Sequence, residues 1–309
     1  MIAAVVASYG RLNLLDRLLK SLRRVEPEAP ALFLIDNLGD GGAAKVAAAN
    51  GFASARVINP GRNLGTGGGV AVGFQEALKD PTIRYCLQLD DDAVVSPGAL
   101  AGLVKALDAS GTGAAMPMMI RANGNIGWFP GLKDRRKWRV VLRARQGLRP
   151  EDYLAECGEA TVPFTWAAWP VLMVTRSAIE QVGVPREDIW FQAVDLEYTL
   201  RLAYYVGNIW VPSERCWHLP PDGEIVQRRA YWRDCVGLHN CSYIFTRLPH
   251  GRLALRHLPG NYWRFFRSWG LAPSVLADAL RCFVWGTVKA KPAGAPGYTR
   301  FKERWFDQR

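Results

Sequence analysis

The sequence predicts an α/β protein built on a mostly parallel sheet with helices on both faces. Three observations lead there. Over the first hundred residues, short apolar runs alternate with helical patterns, the order a parallel sheet needs because each parallel strand requires a crossover. A glycine-rich stretch, "NPGRNLGTGGG" (59–69), joins a strand pattern to a helix pattern. Carboxylates gather where apolar runs stop, at Asp36 and at Asp90-Asp91-Asp92, and ligands of such sheets bind beyond the carboxyl ends of the strands.

The elements follow in order. Ile2–Ala7 is an apolar strand, and Leu12–Leu22 carries leucines at 12, 14, 15, 18, 19 and 22, the spacing of an amphipathic helix. Ala31–Ile35 is a second strand, a helix runs through Ala43–Asn50, and Arg56–Ile58 is a short third strand. The glycines then open a helix through Val70–Lys79, and Ile83–Leu89 is a strand ending at the three aspartates. The second half is less regular. Strands are expected at Met116–Ile120, at the tryptophan-rich Phe164–Val174 and at Asn208–Val211, with helices at Ser177–Gln181, Asp195–Tyr205 and Ala230–Phe245. From Leu253 a helical pattern mixes aromatic and basic residues until the Pro/Gly-rich break at 291–297.

The 309 residues carry a formal net charge of +11, unevenly placed. Residues 131–150 hold +7 and residues 251–309 hold +8, leaving −4 for everything else. Two basic segments on a mildly acidic body point either to particular surfaces or to solvated loops and helices. The six cysteines include no C-x-x-C pair, so reduced thiols in a cytoplasmic protein are expected rather than a zinc site. The N-terminus lacks a basic leader pattern and reads as a strand. No run of about eighteen uncharged apolar residues is present to span a bilayer.

Three adjacent carboxylates admit two readings. They form a turn before a helix at Ser96-Pro97, or they hold a hard cation. In an extended segment Asp90 and Asp92 share one face while Asp91 points elsewhere, towards a loop. The glycine-rich stretch has neither the dinucleotide fingerprint nor a Gly-Lys-Ser/Thr. It is either a tight connection or a place where backbone N–H groups meet a phosphate. In "WFQAVDLEYTLRL", Arg201 lies four residues beyond Glu197 and pairs it on one helix face, which leaves Asp195 as the preferred general base. His218 in "CWHLP" is a packed residue or, with a metal at Asp92, a further ligand.

Taken together and in order, these residues resemble the glycosyltransferase family 2 enzymes, from Met1 to about Phe245. Val5–Arg11 is similar to the opening strand and its aromatic-x-Arg turn, here Tyr9 and Arg11, and Asp36-Asn37 to the pair whose aspartate reads the nucleotide base. Asn63, Gly65, Gly68 and Gly69 resemble the Asn-Gly motif of the rhamnosyl- and galactofuranosyltransferase branches. Asp90-Asp91-Asp92 stands where an Asp-x-Asp motif belongs, Asp195 where the base begins its segment, and His218 where a late histidine completes the metal site. Trp166 and Trp169 resemble an acceptor segment.

The resemblance implies the GT-A fold, a Rossmann-like sheet with C-terminal helices. It divides the chain into a catalytic domain over 1–250 and a basic aromatic extension over 251–309. It implies an inverting transfer from a nucleoside-diphosphate sugar, UDP or dTDP, with Mn²⁺ or Mg²⁺ at Asp92 and His218. Tyr9, Arg11, Asp36, Asn63, Gly65, Gly68, Gly69, Asp90 and Asp91 would surround the donor, and Asp195 would deprotonate a glycan or lipid-linked acceptor of envelope polysaccharide synthesis held at Trp166 and Trp169.

Two further expectations concern surfaces: residues 251–309 lie against the inner face of a membrane or pack as a helical pair, and 131–150 is a mobile flap. Two rival functions remain. A nucleic-acid binder would suit the charge, but three aspartates repel phosphate and no recognition motif is present. An inactive sugar-nucleotide binder would not need both Asp92 and Asp195.

Overall fold

The computed structural model describes residues 1–25, 29–134, 136–137, 140, 147–220, 231–289 and 292. The chain runs β1 (Ile2–Ser8), α1 (Leu12–Leu22), β2 (Ala31–Asp36), α2 (Gly42–Ala49), β3 (Arg56–Ile58), α3 (Gly65–Ala77), β4 (Tyr85–Leu89), β5 (Ala93–Val95), α4 (Ala99–Ser110), β6 (Ala114–Ile120) and β7 (Ile126–Trp128). It continues through α5 (Pro150–Cys157), β8 (Val162–Pro163), β9 (Val171–Thr175), α6 (Arg176–Val182), α7 (Val194–Tyr205), β10 (Asn208–His218), α8 (Tyr231–Arg247), α9 (Leu258–Trp269) and α10 (Pro273–Thr287).

Ten strands form one sheet along the path β3-β2-β1-β4-β9-β6-β10-β5, with β7 beside β6 and β8 beside β10. Along this path every strand but β9 and β5 runs the same way, as expected of a mostly parallel sheet. Ala3, Ala4, Val5 and Val6 of β1 are all fully buried, so both faces of the strand are covered, and its sequence is a continuous apolar run for that reason. On one face α3 comes very close: a Cβ at Gly69 would stand 2.8 Å from the Cβ of Ala7, and one at Gly73 would overlap Val5.

Two departures from the sequence expectation shape the site. The strand expected to stop at Val211 continues through Pro212 to His218, with a register shift between Val211 and Arg215. A proline removes a ladder donor, so the strand passes it on a bulge. Its last residues, Cys216–His218, then pair antiparallel with β5, immediately after the aspartates. The strand expected over Phe164–Val174 begins only at Val171. Before it, residues 164–166 bond to the chain at 131–132, with the Gly131 N–H donating to the Trp166 carbonyl at 2.7 Å.

Of the basic segment 131–150 expected to be a flap, residues 135, 138–139 and 141–146 lie outside the described residues. Its end opens α5, where Pro150 at the first position and Glu151 and Asp152 in the first turn are ordinary helix-start signals.

Packing is continuous across residue 250, since Phe245, Ala254 and Leu258 share the main core. Glu197 of α7, fully buried, accepts from Arg201 at 3.0 Å and lies 3.0 Å from His250 Nε2, which brings the start of the C-terminal region against α7. A second small core joins Cys235 and Leu238 of α8 to Phe265 of α9 and Val275, Ala279 and Cys282 of α10.

Candidate active site

β4 ends at Leu89 and the chain turns: the Asp90 N–H donates to the Pro170 carbonyl and the Ala93 N–H to the Asp90 carbonyl, each at 3.0 Å. Because β5 then pairs with the end of β10, His218 lies opposite Ala93. One ligand atom each from Asp90, Asp92 and His218 falls within 4.8 Å of the others. His218 Nε2 is 3.0 Å from Asp92 Oδ1. Sequence reading placed the metal at Asp92 and His218 alone; the geometry adds Asp90 to that cluster.

Arg11, just after β1, forks across the other two carboxylates. Its Nη1 donates to Asp92 Oδ2 at 3.0 Å, its Nε to Asp91 Oδ2 at 3.3 Å and its Nη2 to Asp91 Oδ1. The expected donor-facing Arg11 and loop-facing Asp91 are therefore paired with each other, though both border the cavity described below. The fork brings one positive charge against Asp91 and Asp92, buried to 2% and 4% exposure.

Asp90 accepts from no guanidinium among the described residues. Burial, then the Asp92 charge, push its carboxyl up to about 7, against the opposing pull of His218 and of the Gln88 amide, which donates at 2.9 Å. At Asp92 burial also opposes ionisation most strongly, but the hydrogen bond and charge of His218 and the charge of Arg11 outweigh it and hold the carboxyl below its usual range. Two carboxyl groups and an imidazole form a donor set that suits Mg²⁺ or Mn²⁺, and a bound cation would favour the ionised form of Asp90.

Asp195 opens α7. The Leu196 N–H donates to its Oδ1 at 2.8 Å, and burial pushes its carboxyl up to about 6 against that bond. Thr199 Oγ1 donates to the Asp195 carbonyl at 2.7 Å and accepts from the Ala167 N–H at 3.1 Å, which fastens the tryptophan-rich loop to this helix start. The turn into the helix is strained: Gln192 and Ala193 have φ of 51° and 65°, the only non-glycine residues with positive φ among those described. Asn240 of α8, fully buried, donates its amide to the carbonyls of Phe191 and Gln192, each at 3.0 Å.

One cavity of about 280 Å³ is bordered both by Arg11, Asp90, Asp91 and His218 and by Trp169 and Asp195. The proposed base and the acidic cluster thus share a single space.

The other expected residues are distributed around it. Asp36 is buried and accepts the N–H groups of Gly39 at 2.9 Å and Gly41 at 3.3 Å, so its carboxylate shapes the loop after β2. Tyr9 is 55% exposed and does not border the cavity. Asn63 Oδ1 accepts the Gly65 N–H at 2.8 Å, and the Asn63 carbonyl accepts Trp190 Nε1 at 3.1 Å.

Gly65, Gly68 and Gly69 serve the tight connection, one of the two readings of this stretch. Their missing side chains make room for protein: a Cβ at Gly65 would fall on the Trp190 carbonyl, one at Gly68 would meet Leu64 at 2.9 Å, and one at Gly69 would meet Ala7. From this stretch it is Thr66 and Val70 that border the cavity.

Trp169 is buried, lies edge-on to Tyr198 at 5.9 Å and borders the cavity. Trp166 does not border it; it covers Gly131 and lies edge-on to His257 at 5.9 Å.

Sequence reading missed Gln88 and Asn240. An amide inside the apolar strand "YCLQL", two residues before Asp90, is a legible signal for Gln88. Asn240 has none, because nothing in its helix points to a strained turn 48 residues away.

The Glycosyl transferase family 2 model matches residues 3–162, just over half of the chain. A comparison with curated proteins finds no match. Among solved structures, the TarS fragment 1–349 of S. aureus is similar with 13% identity and a TM-score of 0.59, over 93% of this chain and 80% of that one. The same fragment in complex with UDP-GlcNAc gives 12% identity and a TM-score of 0.61, over 93% and 81%. GalNAc-T7 with UDP, GalNAc and Mn²⁺ gives 14% identity and a TM-score of 0.55, over 86% of this chain and only 54% of that one. At such identities the likeness speaks for the fold, GT-A.

Proposed function

The chain belongs to glycosyltransferase family 2, and on that footing we propose that it moves a sugar, with inversion, from a nucleoside-diphosphate donor to an acceptor hydroxyl. The observation that carries this reading is the single cavity bordered by Asp195 and by the Asp90–His218 cluster. Asp195, raised towards neutrality by burial, is suited to take a proton near physiological pH. The acceptor oxygen forms its bond to the anomeric carbon as its proton passes to Asp195, and the bond from that carbon to the diphosphate oxygen breaks. A divalent cation held by Asp90, Asp92 and His218 would supply charge stabilisation to the departing diphosphate.

Arg11 pairs with Asp91 and Asp92 and helps hold the Asp92 carboxyl below its usual range, ready for that cation. Trp169 offers an apolar ring beside the base for a sugar face. UDP is the favoured nucleotide, since similar structures hold UDP-GlcNAc or UDP with Mn²⁺; dTDP is the second choice. A glycan or lipid-linked acceptor of envelope polysaccharide synthesis, and kinship with the rhamnosyl- and galactofuranosyltransferase branches, rest on the motif resemblance at Asn63–Gly69 and Trp166–Trp169.

The test is release of nucleotide from UDP-, dTDP- and GDP-sugars, with Mn²⁺, with Mg²⁺ and with chelator, and the anomeric form of the first sugar product read by NMR. Turnover that needs the cation and yields the inverted anomer supports the reading. Turnover indifferent to chelator, or a retained anomer, overturns the corresponding step.

A further inference from the structure

α9 and α10 leave a long apolar groove uncovered. Leu258, Tyr262 and Phe266 of α9 recur every four residues and form one wall; Leu276, Leu280 and Phe283 of α10 form the other. The groove has a volume of about 590 Å³ and its lining is hydrophobic or aromatic throughout. Its floor is fixed by contact: Tyr262 lies edge-on to Phe283 at 6.1 Å and its hydroxyl is 2.8 Å from Ser242 Oγ. Outside the groove α9 exposes Trp263 at 70% and the connection to α10 exposes Leu271 at 67%, while Leu280 on the groove wall is 63% exposed. Large aromatic and aliphatic side chains left in water at this density mark a binding surface.

The charge around the groove says what covers it. Residues 251–289 carry Arg252, Arg256, Arg264, Arg267, Arg281 and Lys289 against one acidic residue, Asp278. Asp278 is 2% exposed and is held by the Tyr231 hydroxyl at 3.0 Å and by Arg281 at 3.2 Å, so it offers no negative charge to the surface. All six basic residues are exposed. An apolar groove on a pair of helices whose own segment, 251–289, carries six exposed cations and one buried carboxylate complements a layer that is anionic outside and apolar within. Among the described residues no helix is long and apolar enough to cross a membrane, and short helices with this composition lie in the interface plane.

We propose that α9 and α10 dock this protein on the surface of an anionic phospholipid bilayer, with the Leu280 groove taking the acyl region and the arginines the headgroups. The face begins next to the tryptophan-rich loop, since His257, between the groove residues Leu255 and Leu258, contacts Trp166. Where the acceptor is lipid-linked, as the proposed function has it, docking would bring it to the cavity side of the molecule. The docking itself does not depend on the reaction.

The experiment is flotation of the full chain with phosphatidylcholine vesicles, with and without phosphatidylglycerol, with oligomeric state measured by sedimentation equilibrium. The wild type should float only with phosphatidylglycerol and should be released by high salt. Leu280→Glu should abolish flotation, and the double variant Arg256→Glu/Arg267→Glu should weaken it by at least about tenfold; a thermal melt confirms that these exposed substitutions leave the fold intact. Absence of flotation, or flotation unchanged by Leu280→Glu, overturns the proposal. A wild-type dimer that Leu280→Glu dissociates also overturns it, because a second copy then covers the groove. No donor enters these measurements, so their failure leaves the catalytic reading standing, and a failed transfer assay leaves this one standing.

Discussion

Asn240 donates its side-chain amide to the carbonyl of Gln192, 3.0 Å away, and thereby holds a left-handed residue three positions before Asp195. A non-glycine residue in that conformation costs about 1–2 kcal/mol, and Ala193 repeats the cost. The strain is tolerated because a buried amide fastens the turn from the outside. Asn240→Ala removes two hydrogen bonds, each worth about 1 kcal/mol. The expected outcome is a lower melting temperature together with a kcat reduced by about tenfold and an unchanged donor KM, read by steady-state kinetics. A fall in stability with kcat intact would show that the turn does not orient Asp195.

Arg11 holds two buried carboxylates at once. Its removal takes the guanidinium away from Asp91 and Asp92, and depriving a buried charge of a partner is costly. Arg11 is itself 39% exposed, so water recovers part of the loss. Arg11→Ala is expected to destabilise the fold by about 2 kcal/mol in chemical denaturation. Mn²⁺ affinity, measured by calorimetry, should change with it because Asp92 loses one of its two fixed partners. Equal stability and equal affinity would remove Arg11 from the support of the cluster.

The raised carboxyl of Asp195 sets a pH dependence. A base works deprotonated, so kcat/KM should fall as pH drops through about 6. The stability sign is the opposite. The folded state holds this proton more tightly than the unfolded chain, so its contribution is full below the ordinary aspartate range and is lost as pH rises through about 6. Asp195→Asn escapes that loss. It should melt higher than wild type at neutral pH, by about 2–3 kcal/mol of stability, and the difference should vanish below the ordinary carboxylate range. A pH-independent difference would mean that the carboxyl is not raised by burial.

Gly65 separates packing from ligand binding. Its φ is +67° and a Cβ there would fall on the Trp190 carbonyl. Gly65→Ala should cost about 3 kcal/mol or more through strain and overlap, seen as a lower denaturation midpoint. Exposed Gly61, with φ +72° but open space around it, should cost less on the same change. Equal costs would leave only the backbone conformation at work.

Much of the fold was legible because the apolar runs of β1, β2 and β4 and the leucine spacing of α1 are local signals. The carboxylates at strand ends were legible for the same reason, and Glu197 was rightly read as the partner of Arg201. What escaped depends on distant chain. The passage of β10 over Pro212 to bring His218 opposite Ala93 is a register decision that no window of sequence contains. The glycines of 65–69 left a tight connection and a phosphate contact both open, and only the distant loop at Ile189–Trp190 shows why Gly65 and Gly67 can carry no side chain. Arg11 read as a donor contact because its partners lie 80 and 81 residues away.

The most direct measurement compares nucleotide release from a UDP-sugar with Mn²⁺ by the wild type and by Asp195→Asn, alongside donor binding by calorimetry. A general base typically contributes about 10²–10⁴-fold. The expected result is a loss of turnover in that range with donor affinity unchanged. Turnover retained by Asp195→Asn would contradict the role of Asp195 as the base.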